Sequence, residues 1–101
     1  MPNSFQQIID NDQLTLVDFF AHWCGPCMNM MPVIDEVKDQ FGDALRILKV
    51  DVDKNAAACN KYQIRGVRTL ILFKKGQILW TKLGAVSKQD LITSIAKEIT
   101  P

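Results

Sequence analysis

The chain has 101 residues, 48% hydrophobic and 23% charged, a globular composition with enough length for one compact domain that buries about 65% of its unfolded surface. Its formal net charge is +1, and Arg46, Lys49, Lys54, Lys61, Arg65, Arg68, Lys74 and Lys75 are scattered along the chain. No concentrated positive field gathers phosphates or anionic lipid, so nucleic acid and membrane partners are not expected.

No apolar stretch approaches the ~20 residues that cross a bilayer, and Met1-Pro2-Asn3-Ser4 lacks the cationic and apolar parts of a secretion signal. A cytoplasmic location is expected, although a leader already removed would leave no trace. There are three cysteines, and Cys24 and Cys27 are too close in sequence to close a stabilising loop. A disulfide scaffold is therefore disfavoured, and the pair is read as chemistry.

In chain order, Ser4-Phe5-Gln6-Gln7 has capping-box spacing ahead of Ile8 and Ile9 and predicts a short first helix, broken at Asn11 and Asp12. Leu14 to Ala21 is apolar on both alternating faces, as a central strand covered by helices is. From Cys24 to Phe41, apolar residues recur at Cys27, Met30, Met31, Ile34, Val37 and Phe41, one face of a helix that Gly42 stops. Pro32 lacks the amide donor that Met28 O would receive, which predicts one kinked helix rather than two.

Leu45 to Val52 is a second strand, parallel to the first because a helix crosses between them. Asn55 to Tyr62 is a short helix. Thr69 to Phe73 and Gln77 to Leu83 are strands joined by so short a loop, Lys74-Lys75-Gly76, that they pair antiparallel. Ser87-Lys88-Gln89-Asp90 caps a last helix whose inner face is Leu91, Ile92, Ile95 and Ile99.

The chemistry lies in Trp23-Cys24-Gly25-Pro26-Cys27, where the first strand meets the long helix. Side chains three apart on a helix share a face with Cβ atoms about 5–6 Å apart, close to the ~4 Å of a disulfide, so dithiol and disulfide interconvert without refolding. Cys24 stands at the helix start, where free amide donors and the helix dipole favour its thiolate and lower its pKa below the ordinary value of about 8.5. It is read as the nucleophile. Cys27, on the apolar face, is the resolving thiol.

Asp18 interrupts an apolar strand and shares a face with Leu16 and Phe20, so burial resists its ionisation and fits it to take the proton of Cys27. A register leaving Asp18 in water is the other reading. Lys49 interrupts the neighbouring strand and tunes Asp18 if their faces coincide; otherwise it snorkels from a strand end.

With these residues placed, the chain resembles the thioredoxin family over nearly its whole length. The resemblance rests on Val17-Asp18-Phe19, Trp23-Cys24-Gly25-Pro26-Cys27, Pro32, Lys49-Val50-Asp51-Val52-Asp53, Tyr62, Ile64-Arg65-Gly66-Val67, Thr69-Leu70 and Gly84, in the family's order. It implies an α/β thioredoxin fold and protein-disulfide reductase activity through Cys24 and Cys27. Asp18 is then the proton acceptor and Lys49 its partner, with a peptide-binding rim of Trp23, Gly66, Val67 and Gly84. No cofactor is implied beyond the redox-active disulfide, and the implied partners are disulfide-bearing proteins and a thioredoxin reductase.

Two departures stand out. The family has an edge strand ahead of its first helix, while only three residues precede Ser4, so a four-stranded mixed sheet is expected with Leu45 to Val52 at its edge. Such an edge invites pairing, and a monomer or weak dimer is expected. Arg68 stands where the family has a cis-proline, so the Val67–Arg68 bond is either trans with a reshaped loop or cis and strained.

Three readings of Arg68 follow. It alters substrate docking; its guanidinium stabilises the Cys24 thiolate; or loss of the proline opens the thiols to a metal or iron–sulfur cluster, with Cys59 or His22 as extra ligands. A redox-impaired interaction module belongs with the third. Cys59 otherwise reads as a small buried hydrophobe, His22 as an exposed neighbour of the motif, and Trp80 as sheet packing.

Overall fold

The computed structural model describes residues 5–64 and 67–99. Ser4 of the expected capping box and Gly66 of the expected rim lie outside the described residues. The chain forms α1 (Phe5–Ile9), β1 (Leu14–Phe20), α2 (Gly25–Phe41), β2 (Leu45–Asp51), α3 (Ala56–Lys61), β3 (Thr69–Lys74), β4 (Gln77–Leu83) and α4 (Lys88–Ile99). A 3₁₀ turn, Gly42–Ala44, follows α2.

Among the described residues the strands make one four-stranded sheet in the order β2-β1-β3-β4. β1 pairs with β2 in parallel and with β3 antiparallel, and β3 pairs antiparallel with β4. β2 is thus an edge strand, and β1, apolar on both faces, is buried along its whole length. The β3–β4 turn places Lys75 and Gly76 at φ 53° and 76°, the paired positive angles of a tight hairpin whose twist matches its strands. Lys75 N–H donates to Asn11 O at 2.8 Å and Gly76 N–H to Ile9 O at 3.1 Å, tying the hairpin to the entry of β1.

On one face of the sheet, Leu14, Leu16, Leu45, Leu70 and Leu72 pack on Ile34 and Val37 of α2 and on Leu91 and Ile95 of α4. On the other, Val17, Phe19, Val50, Ile71 and Phe73 pack on Ile9 of α1 and Cys59 of α3, with Phe5 and Tyr62 closing the layer ring against ring at 5.5 Å. The two-residue alternation of the strands thus feeds two separate cores.

α2 runs as one helix through Pro32. In α4, Ser87 Oγ accepts from Asp90 N–H at 3.0 Å, the cap its sequence predicts. Ile99 departs from expectation: it is 39% exposed, on an open groove at the end of the sheet that it lines with Asp12, Leu14, Asp43 and Lys74.

Candidate active site

At the end of β1, Phe20 and Ala21 join Cys24 and Cys27 in a small third core, and a turn closed by Cys24 N–H donating to Ala21 O at 3.1 Å delivers the chain to α2. Cys24 is the extended N-cap of that helix and Pro26 occupies its first turn, where a missing amide donor costs nothing. The Cys24 Sγ accepts from Cys27 N–H at 3.2 Å. The sulfur therefore sits where unpaired amide donors point, the place on a helix that favours a negative charge.

Cys24 and Cys27 form a disulfide with Cα atoms 5.3 Å apart. They are 6% and 2% exposed, so Cys24 is the nearer to solvent and Cys27 the more enclosed. A Cβ on Gly25 would meet nothing within 4 Å, so crowding does not require glycine there.

Asp18 is 4% exposed, and burial pushes its carboxyl from 3.8 to about 6, with the Lys49 ammonium opposing the rise. Its Oδ2 has no hydrogen-bond partner among the described residues. The parallel register sets Asp18 beside Lys49, so the two residues share a face of the sheet. The Lys49 ammonium nonetheless turns outward and lies 3.3 Å from Asp35 Oδ1 of α2. Lys49 reaches Asp18 through its field, while its hydrogen bond goes to α2.

Asp18 and Cys27 line one small cavity with Met30, Arg68, Leu70 and Gly84. On the other side of the thiols, Trp23, Val52, Ala56, Cys59, Ile64 and Val67 line a wider groove. Trp23 is 69% exposed and its Nε1 donates to Asp53 Oδ2 at 2.9 Å, which fixes the indole plane at the rim. His22 stands edge-on to Phe20 at 5.2 Å, with Nε2 3.6 Å from Asp51 Oδ2.

The Val67–Arg68 peptide bond is trans, as are all bonds among the described residues. The accommodation lies instead at Arg68 itself, at φ 64°, a left-handed conformation that costs a residue with a Cβ about 1–2 kcal/mol. Two hydrogen bonds hold it there: Arg68 N–H donates to Phe19 O at 3.2 Å, and Arg68 O accepts from Gly84 N–H at 2.9 Å. Gly84 is at φ 78°, the left-handed region that favours glycine, and a Cβ on it would be in ordinary contact, 3.7 Å from Arg68 Nη2; the arginine lies across it.

Cys59 is buried and unpaired with another cysteine, and burial, aided by the Asp53 carboxylate, raises its pKa. It lines the groove and not the cavity that holds Cys27. Among the described residues no three His, Cys, Asp or Glu side chains gather as a metal needs. Sequence reasoning missed Met30 and Leu70 as cavity walls and Asp35 as the Lys49 acceptor. Leu70 was legible in principle, since it stands opposite Asp18 once β1 and β3 are paired.

The thioredoxin family profile matches residues 1–97. Thioredoxin 1 of Synechococcus elongatus is 39% identical over 94 residues, covering 93% of this chain and 88% of that protein. The thioredoxin of Acidithiobacillus ferridurans is 39% identical over 98 residues, covering 96% and 91%. Among solved structures, a point mutant of thioredoxin from Halobacterium salinarum NRC-1 superposes with a TM-score of 0.83 at 35% identity, over 93% of this chain and 80% of that one.

The chain belongs to the thioredoxin family, and its cysteine pair makes it a dithiol–disulfide oxidoreductase. Members act on protein disulfides and are themselves reduced by a thioredoxin reductase. Among the described residues no helix is long and apolar enough to cross a membrane.

Proposed function

We propose that the protein reduces protein disulfides in the cytoplasm by a two-step exchange, with Cys24 as nucleophile and Cys27 as resolving thiol. The Cys24 thiolate attacks one sulfur of the partner disulfide; that bond breaks, and the departing thiolate takes a proton from solvent. The ionised Asp18 carboxylate accepts the Cys27 proton, and the Cys27 thiolate attacks the Cys24 sulfur. The Cys24–Cys27 bond forms as the Cys24–partner bond breaks, the second departing thiolate takes a proton from solvent, and the partner leaves as a dithiol carrying two electrons.

The observation that carries this reading is the sharing of one cavity by Asp18 and Cys27. A carboxyl with a pKa of about 6 is mostly ionised at neutral pH yet basic enough to receive a proton. Lys49 helps keep it ionised. The partner's backbone runs along the rim of Trp23, Val67, Arg68 and Gly84, and the enzyme uses no cofactor beyond its own disulfide.

The test is a single-turnover assay with the pre-reduced chain and a disulfide-bonded protein. One partner disulfide is lost for each Cys24–Cys27 bond formed, and Cys24→Ser abolishes the loss. A partner that keeps its disulfide while both thiols stay reduced refutes the reading.

A further inference from the structure

Dithiol exchange alone gives no use for the charge on Arg68. The residue is held by backbone hydrogen bonds to both Phe19 and Gly84, in a conformation costly for any residue but glycine. Its side chain is half-buried and lies over Gly84 on the wall of the cavity that holds Cys27. Lys49, Lys75, Lys82 and Lys88 each have a carboxylate within ion-pair distance, whereas Arg68 has none among the described residues. Of the carboxylates around the site, Asp53 accepts from Trp23 and Asp51 lies beside His22, while Asp18 lines the same cavity as Arg68 but makes no ion pair with it.

A partly dehydrated guanidinium with free donors favours a carboxylate, which it can bind through two parallel charge-assisted hydrogen bonds. We propose that Arg68 is a specificity-determining residue that selects disulfide partners carrying an acidic side chain beside the cysteine Cys24 attacks. The proposal rests on the dithiol-exchange reading and adds the substrate class to it. Arg68 meets the partner's flanking residue, and the exchange of bonds and electrons is unchanged.

Three synthetic peptides test it, each with one disulfide and identical except for Glu, Gln or Lys beside the attacked cysteine. The second-order rate constant for reduction of each by the pre-reduced full chain is measured at low and high salt. The Glu peptide is expected to react about tenfold faster than the Gln peptide, with the Lys peptide slowest and the spread shrinking in high salt.

The Glu-to-Gln ratio falls toward one in Arg68→Gln and inverts in Arg68→Glu, while Arg68→Lys keeps part of it. An effect of Arg68 on the thiolate alone would change all three rates together and leave the ratio untouched. Equal rates for the three peptides with the native chain overturn the proposal and leave the oxidoreductase reading standing. Failure to reduce any of them overturns both. Equal rates with the native chain overturn the proposal even if a variant does not fold, and a Glu preference surviving in a folded Arg68→Gln chain removes Arg68 from the explanation.

Discussion

Replacing Asp18 by asparagine should stabilise the oxidised protein at neutral pH and leave it nearly unchanged in acid. The carboxyl ionises near 3.8 when unfolded and near 6 when folded, so between those values the unfolded chain gives up a proton that the folded chain retains. Stability is highest below 3.8 and is lost as pH rises through about 6. At ~1.4 kcal/mol per pH unit, the separation amounts to about 3 kcal/mol at neutral pH. The side chain is only 4% exposed, so solvent screens little of it.

Asparagine keeps the shape, carries no charge and escapes the loss. Urea unfolding of both oxidised proteins from about pH 3 to about pH 8 measures the difference. Its curve should be flat in acid, climb between the two pKa values and level off near neutrality. A difference that is the same at every pH would mean that the buried charge is not the cause, and the energetic account of Asp18 would fail.

Four other outcomes follow from the same structure. Lys49→Met removes the cation that opposes the Asp18 shift, so the Asp18 pKa should rise above about 6, read by NMR titration of its carboxyl carbon; no change would show that Lys49 acts only on Asp35. Cys27→Ser should stop the exchange after its first step and accumulate a covalent Cys24–partner adduct visible by mass spectrometry. Ile34→Ala, at a fully buried position between α2 and the sheet, should lose about 2–5 kcal/mol in denaturant unfolding. Arg68→Gly relieves the left-handed backbone, and after the entropy cost of glycine a gain of roughly 0.5–1 kcal/mol is expected in the same assay.

Most of the architecture was legible because local signals agreed with one another. Leu14 to Ala21 is apolar at every position but Thr15 and Asp18, which only a strand covered on both faces tolerates, and β1 lies inside the sheet. The Ser87 cap and the Lys75-Gly76 turn were equally readable, each involving side chains or angles within a few residues. Contacts between distant segments were harder. That Lys49 hydrogen-bonds Asp35, and not a residue of β1, depends on how α2 lies across the sheet, and Ile99 continues the stripe's spacing into an open groove at the sheet's end.

Arg68 was visible as a departure, but not its outcome. Whether the chain would answer the missing proline with a cis bond or with a turned backbone depended on the amide of Gly84 and the carbonyl of Phe19, which sequence does not bring together.

The alignment of Asp18 with Lys49 also bears on assembly. Because β1 is apolar on both sides, hydrophobicity alone would let it slide against β2 by one position at little penalty. Slippage sets the carboxyl opposite Leu48 or Val50 and strands it from the Lys49 ammonium, so the polar pair works as an index mark on an otherwise unlabelled ladder. The group proposed to move a proton during turnover thus also tells the strands where to stop.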